Sequence, residues 1–262
     1  MCLILFSWQQ YPDYPLVLAA NRDELYERPT AVLDRWQDPR GIVGGRDLQA
    51  GGSWLAANQR GRFAAVTNVR DQGTMPDNPR SRGSLITDFL TTDLALDDWL
   101  AKLQRTRGQY SGYNLLAGEI ASAQLRYYNN QKDSLRTLGP GLFGLSNGEL
   151  DEPWPKVNRG KQLLEHAIRT DGEVKISDLL SLLADDRLPE DSALPDTGVG
   201  LELERLLAPI RIRGDRYGTC SSSVLVASNN GQLNLHEQNR RPGSPSTLIS
   251  HSWSLVTADK TE

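Results

Sequence analysis

Helical periodicity in this chain is confined to two blocks, and almost everything around them reads as strand. Apolar residues recur at three- and four-residue intervals over residues 84–91 and 94–104. They do so again over 157–169 and 176–183, with Asp171-Gly172 punctuating between. Apolar runs of strand length occupy residues 3–8, 15–20, 53–57, 62–69, 114–119, 124–128, 221–228, 232–237 and 249–257. Tight turns are signalled by Asn58-Gln59-Arg60-Gly61 and by Asn229-Asn230-Gly231, and residues 188–200, with Pro189 and Pro195, read as a surface loop. A doubly wound parallel sheet needs strands and helices to alternate. Roughly nine strands and four helices gathered in blocks predict instead an α+β fold of antiparallel sheets with segregated helix layers. No linker and no internal repeat interrupts the pattern, so residues 1–262 are expected to form a single domain.

Composition removes several function classes. An apolar fraction of 38% and a charged fraction of 24% suit a globular, somewhat polar protein. A net charge of -4 with scattered basic residues gives no pull toward nucleic acid, and the densest basic cluster is only Arg211, Arg213 and Arg216. Cys2 and Cys220 are too few for a disulfide framework, and with His166, His236 and His251 dispersed they write no tetrahedral metal site. The opening run Met1-Cys2-Leu3-Ile4-Leu5-Phe6 is too short for a membrane span or a signal-peptide core. It reads as a buried strand of a cytoplasmic protein with no integral membrane segment.

Cys2 has special chemistry if Met1 is removed. The residue would then carry a thiol and a free α-amine on one carbon, with reference pKa values of about 8.5 and about 7.7–8.0. Nucleophile and base would belong to the same residue, and no histidine would be needed. A cysteine otherwise simply packs, since free thiols are among the most buried side chains. Asn21-Arg22-Asp23-Glu24 follows the second apolar run directly. Strand alternation puts Asn21 and Asp23 on one face and Arg22 and Glu24 on the other. If the first two strands pair, Asp23 is placed to hold an α-ammonium on Cys2, with Asn21 bonding backbone nearby.

Met1-Cys2, Leu18-Ala19-Ala20-Asn21-Arg22-Asp23-Glu24 and Arg28-Pro29 resemble the NRDE family, also called the transport and Golgi organisation protein 2 family. Agreement continues through Gly51-Gly52-Ser53-Trp54-Leu55, residues 61–68 (GRFAAVTN), Ser81-Arg82-Gly83, Tyr113-Asn114-Leu115, Gly144-Leu145-Ser146-Asn147 and Tyr217-Gly218-Thr219. That family in turn resembles the cysteine N-terminal-nucleophile hydrolases, such as bile-salt hydrolases and penicillin V acylase. The resemblance implies a four-layer αββα sandwich of two antiparallel sheets flanked by helices. It implies Cys2 as nucleophile, Asp23 as the aspartate near it, Asn68 as an oxyanion-hole donor and Asn147 as a second polar catalytic residue. An oxyanion donor is worth about 3 kcal/mol to acyl transfer. Asn21, Arg22, Trp54, Arg70 and Tyr217 are the expected binding residues.

Two positions depart from the pattern. Ala20 stands where those hydrolases carry an arginine before the Asn-x-Asp turn, and Arg22, on the opposite strand face, is not expected to replace it. Cys220 stands where many relatives have an arginine after Tyr-Gly-Thr, which predicts a missing fixed positive charge.

Two functions follow. The first is hydrolysis of carbon–nitrogen bonds other than peptide bonds, through a Cys2 acyl-enzyme and with no cofactor required. The second, also implied by the resemblance, is a non-enzymatic carrier of haem or of acyl-CoA and other lipids. There is no Cys-x-x-Cys-His attachment site, so haem would bind noncovalently through a His, Met or Cys. Gly44-Gly45-Arg46-Asp47 and Gly51-Gly52-Ser53 match no phosphate-binding fingerprint and read as a mobile rim loop. Trp8, Trp54 and Trp154 are candidates for either core or pocket wall.

Overall fold

The computed structural model describes residues 2–39, 41–70, 76–169 and 173–256. A hairpin opens the chain: β1 (Cys2–Tyr11) and β2 (Tyr14–Leu25) pair with Cys2 opposite Arg22 and Leu3 opposite Asn21. β3 (Thr30–Arg35), β4 (Ile42–Asp47), β5 (Leu55–Asn58) and β6 (Arg62–Asn68) follow, then helices α1 (Gly83–Thr91) and α2 (Leu96–Arg105). β7 (Tyr113–Glu119), β8 (Gln124–Asn129), β9 (Ser134–Thr137) and β10 (Gly141–Leu145) precede the second helical block, α3 (Pro155–Arg169), α4 (Ile176–Leu182) and α5 (Leu201–Leu207). The described chain ends in β11 (Tyr217–Ala227), β12 (Gln232–Asn239) and β13 (Leu248–Ser254).

These strands form two antiparallel sheets. One has the order β10-β1-β2-β11-β12-β13, the other runs β3 through β9 in sequence. Side-chain alternation assigns the layers. In β1, Ile4, Phe6 and Trp8 point between the sheets, where they meet Leu55, Phe63 and Leu116 of the second sheet. Leu3 and Leu5 point the other way, onto Val157, Leu164 and Leu179 of α3 and α4. The outer face of the second sheet is covered likewise, with Ala64, Leu115 and Tyr128 under Ile86, Phe89 and Trp99 of α1 and α2. The arrangement is the four-layer αββα sandwich. Because both faces of the inner strands are buried, they read as continuous apolar runs rather than alternating ones, which is how residues 3–8 and 15–20 announce themselves. Gly160 lets α3 lie directly on β1, since a β-carbon there would stand 2.6 Å from Leu5 Cδ1.

The structure adds elements that periodicity did not mark: β3, β4, β9, β10 and α5. The Gly44–Asp47 segment is not a rim loop but strand β4. Its glycines are required by packing, because a β-carbon on Gly44 would meet Ala56 Cβ at 2.7 Å and one on Gly45 would overlap the Trp54 ring. β9 and β10 sit at sheet edges, β9 largely exposed, so they lack a full apolar signature. Tyr217-Gly218-Thr219 begins a long central strand, earlier than the apolar run at 221–228 suggests. Residues 188–200 are irregular apart from one short 3₁₀ turn, Asp191–Ala193. Met1, with its α-amine, and residue 257 lie outside the described residues. No described helix is long and apolar enough to cross a membrane.

Candidate active site

The two sheets leave a cleft of about 300 Å³ where the starts and ends of several strands converge; its wall includes Cys2, Arg22, Asp23, Trp54, Asn68 and Arg82. Cys2, first residue of β1, is half-buried there. Burial pushes its thiol pKa up and the Asp23 carboxylate adds to the rise, while Arg22 and the Asp23 backbone amide pull it down. The thiol as it stands is held protonated, so it needs a base before it can act as a nucleophile.

Arg22 is the first correction. It does lie on the face opposite Asn21, but that is the face Cys2 shares, because Cys2 and Arg22 are register partners and Ile4 and Leu18 carry the same face into the inter-sheet core. Its guanidinium carbon lies 4.3 Å from the Trp54 ring centroid, and Nη1 donates to Thr30 Oγ1 at 3.2 Å. Ala20 is buried in the inter-sheet core two residues earlier. The positive charge missing at Ala20 is therefore supplied beside the thiol by Arg22. A second correction concerns Cys220. It forms the bulge of β11 between the pairs Thr219–Asp23 and Ser221–Arg22, buried. Its thiol donates to the carbonyls of Glu24 and Gly218 at 3.6 and 3.7 Å, with Arg241 in the same pocket wall and its charge acting on the thiol. A guanidinium reaches that position from another segment.

Asp23 sits on the helix-facing side of β2, fully buried. Its Oδ1 accepts from Thr219 Oγ1 at 2.7 Å, and its carbonyl accepts from the Tyr217 hydroxyl at 3.1 Å. Burial raises the pKa of the carboxyl, and the charge of Lys156 is the largest influence opposing that rise. Sequence reasoning missed Lys156. It lies in the first turn of α3, buried, and Nζ donates to the Leu207 carbonyl at 2.9 Å. Burial pushes it down to about 8, with Asp23 the strongest influence pulling it back up. The available signal was a lysine at a helix N-terminus, where the helix dipole disfavours a cation and no acidic residue occupies the first turn.

Asn68 ends β6 and borders the cleft. Its carbonyl accepts from Asn147 Nδ2 at 2.9 Å, and the Asn147 carbonyl accepts from the Arg70 amide at 2.7 Å. Next door, the Ser146 carbonyl accepts from Thr67 Oγ1 at 2.6 Å, while Ser146 Oγ donates to the Cys2 carbonyl at 3.4 Å. The Ser146-Asn147 pair thus ties the start of β1 to the end of β6, fixing Cys2 relative to Asn68. Asn147 itself is wholly buried and is absent from the cleft wall, so its contact is with the main chain of Asn68.

Three expected binding residues lie elsewhere. Asn21 points into the helix layer, where Nδ2 donates to the carbonyls of Leu183 and Ile210 at 2.8 Å each and Oδ1 accepts from Ser222 Oγ. All its capacity goes to holding the sheet against that layer. Arg70 pairs with Glu204 of α5 at 2.7 Å, both side chains at most 6% exposed, and stacks on Trp154 at 4.9 Å. Tyr217 is not itself in the cleft wall and reaches it through Asp23, whose carbonyl accepts from its hydroxyl. Trp8 is core, Trp54 floors the cleft and Trp154 backs Arg70.

The family model for Transport and Golgi organisation 2 matches residues 1–242. The chain belongs to that family. It is 34% identical over 257 residues to the human Transport and Golgi organization protein 2 homolog, covering 91% of this chain and 92% of that one. The Drosophila melanogaster Transport and Golgi organization protein 2 is 26% identical over 264 residues, at 91% and 92% coverage. Among solved structures, an N-acylethanolamine-hydrolyzing acid amidase ortholog from Caenorhabditis elegans superposes with a TM-score of 0.51 at 12% identity, covering 86% of this chain and 92% of its own. The R18L variant of conjugated bile acid hydrolase from Clostridium perfringens superposes with a TM-score of 0.55 at 8% identity, covering all of both chains. This member of the Transport and Golgi organisation 2 family therefore has the N-terminal-nucleophile hydrolase fold.

Proposed function

We propose that the protein hydrolyses a non-peptide carbon–nitrogen bond, with Cys2 as nucleophile once Met1 has been removed. What carries this reading is the convergence of the Cys2 thiol, the Arg22 guanidinium and Asn68 on one cleft at the ends of β1, β2 and β6. The freed α-amine of Cys2 would take the thiol proton as Sγ attacks the amide carbonyl. In this reading Asn68 donates to the oxyanion that develops, and Arg22 favours the thiolate. The α-ammonium then gives its proton to the departing nitrogen as the C–N bond breaks. Water, deprotonated by the same amine, attacks the thioester and releases the acid. The fold neighbour from Caenorhabditis elegans is named as an amidase, in keeping with that class of chemistry.

The carrier reading has less support in the residues of the cleft. No histidine lies in its described wall; His236 Nδ1 is 2.7 Å from Ser250 Oγ and His251 Nε2 is 3.5 Å from Asp34. A volume near 300 Å³ is at the small end for a ligand pocket. The wall does not fit a haem with an imidazole ligand, leaving Cys2 as the one candidate donor among the residues named above.

The test is to measure the intact mass of protein purified from cells and to assay it against a panel of N-acyl amides, with Cys2→Ala and Cys2→Ser alongside. Release of the amine by Met1-free protein, abolished by Cys2→Ala, is the expected result. Full turnover by protein that retains Met1 would overturn the mechanism.

A further inference from the structure

The cleft holds more positive charge than its own acids neutralise. Arg28 is taken up by Asp47 at 2.7 Å, with Glu24 at 3.8 Å, and Arg80 leans on Asp88 at 3.5 Å and on the Tyr110 ring. The strongest opposite charge acting on Asp23 is that of Lys156, from the helix layer that Asp23 faces. Two arginines of the wall then remain. Arg22 has one donor on Thr30 Oγ1, and Arg82 has Nη1 on the Gly112 carbonyl at 3.1 Å. Neither forms an ion pair among the described residues. Arg22 is only 5% exposed.

The carboxylates of Asp23 and Glu237 act on Arg22 without pairing with it directly. A guanidinium taken this far out of water without a direct ion pair is costly to keep, unless something else satisfies it. Arg22 has a flat face on Trp54 in the cleft and one donor on Thr30 in a neighbouring pocket, and its other N–H groups are not taken by a hydrogen bond among the described residues. Arg82 stands across from it at the start of α1. There the close approach of Gly52 to Gly83 pins the chain, since no β-carbon fits at Gly52 against the Gly83 backbone. Two planar forks on rigid elements, facing one small cleft, suit a carboxylate or phosphate, which accepts paired N–H donors.

We infer that the Cys2 cleft selects a substrate carrying an anionic group close to its scissile amide, and that Arg22 and Arg82 bind that group. The inference rests on the reading of this cleft as the substrate site and names the substrate class. The cleft accommodates the amide and its charged end. A longer acyl chain would leave through the open mouth.

Binding is measured on the full chain carrying Cys2→Ala, which cannot turn over, so anion recognition is read whether or not the native protein hydrolyses amides. Three probes differ in charge at one end: N-acetylglycine, N-acetylethanolamine O-phosphate and the neutral N-acetylglycinamide. Calorimetric titration should give at least tenfold tighter binding for one of the anions than for the neutral probe, and the preferred anion identifies carboxylate or phosphate as the group recognised. Arg82→Gln and Arg22→Gln should each erase that preference, and Arg82→Lys should restore part of it. Thermal melts of the ligand-free variants separate loss of recognition from loss of fold. Binding of all three probes within a factor of two, a preference that survives both glutamine variants, or no binding of any probe overturns the inference.

Discussion

Asn147 donates through Nδ2 to the main-chain carbonyl of Asn68 at 2.9 Å, so the residue at the cleft is held by one that never reaches it. Asn147 is fully buried, and replacing it with alanine would leave the Asn68 carbonyl, part-buried at the edge of the cleft, without its partner. An unsatisfied buried polar group costs about 1–3 kcal/mol. Asn147→Ala should lower the urea unfolding free energy by that amount. Because Asn68 would lose its fixed position as an oxyanion donor, kcat should fall at least tenfold on any amide the protein hydrolyses, with KM little changed. A loss confined to KM would show that Asn147 acts on ground-state binding instead.

Arg22 and Cys2 share one strand face and a register position, which makes the arginine a side-chain charge that favours the thiolate alongside the terminal ammonium. Removing a positive neighbour disfavours the charged form of a thiol. Arg22→Gln should therefore slow iodoacetamide alkylation of Cys2 several-fold at pH 7.5 and move its pH midpoint upward. Peptide mapping distinguishes Cys2 from Cys220. An unchanged midpoint would remove Arg22 from the electrostatics of the nucleophile.

How much of this was legible in the sequence follows from where each signal resides. β1 and β2 are buried on both faces, so an unbroken apolar run marks them unambiguously, and blocks of helical periodicity place the two outer layers. β4 was hidden because its glycines answer to Ala56 and Trp54, residues that only the folded sheet brings near. At the cleft, the motif residues Cys2, Arg22, Asp23, Trp54 and Asn68 come together as their order along the chain suggests. The face of Arg22 could be read only after the register of β1 on β2 was known, since that pairing decides which residues Cys2 can touch. Lys156 and Glu204 come from helices far along the chain, and the charges they answer, Asp23 and Arg70, are distant in sequence, so nothing nearby reveals their roles.

Trp54 links packing to the site, because Gly45 closes over its ring while Arg22 lies on it. Gly45→Ala would put a methyl group into that ring and force it to move. Overpacking of this kind costs about 1–3 kcal/mol, read as a lower urea midpoint. The displaced tryptophan should also disturb Arg22, so the alkylation rate of Cys2 should change with the fold intact. Gly51→Ala serves as a contrast: φ is +79° there, but nothing lies within 4 Å of a new β-carbon, so it should strain the turn and leave Cys2 reactivity as it was.

Lys156 predicts how stability varies with pH. Its pKa in the folded protein is lowered to about 8, against an ordinary value of about 10.4 when unfolded. Between those values the unfolded chain binds more protons than the folded one, so stability rises with pH across that window. Below pH 8 the cost of burying the ammonium is fully present; toward pH 10 it is relieved as the folded lysine loses its proton. The raised pKa values of Cys2 and Cys220 act in the opposite sense within this same window, and those of buried tyrosines such as Tyr127 do so as pH climbs past their ordinary value near 10. The part due to Lys156 is therefore read as a difference between the native protein and a Lys156 variant. The urea midpoint of the native protein relative to that of Lys156→Met should increase from pH 8 to pH 9.5. Lys156→Met also deprives Asp23 of the strongest charge that holds it ionised, so its carboxyl should protonate at higher pH in the variant than in the native protein. Asymmetric carboxylate stretching in infrared difference spectra, assigned with Asp23→Asn, measures that shift. A native-minus-variant difference that is level over pH 8–9.5, or an Asp23 titration indifferent to Lys156, would separate the two residues.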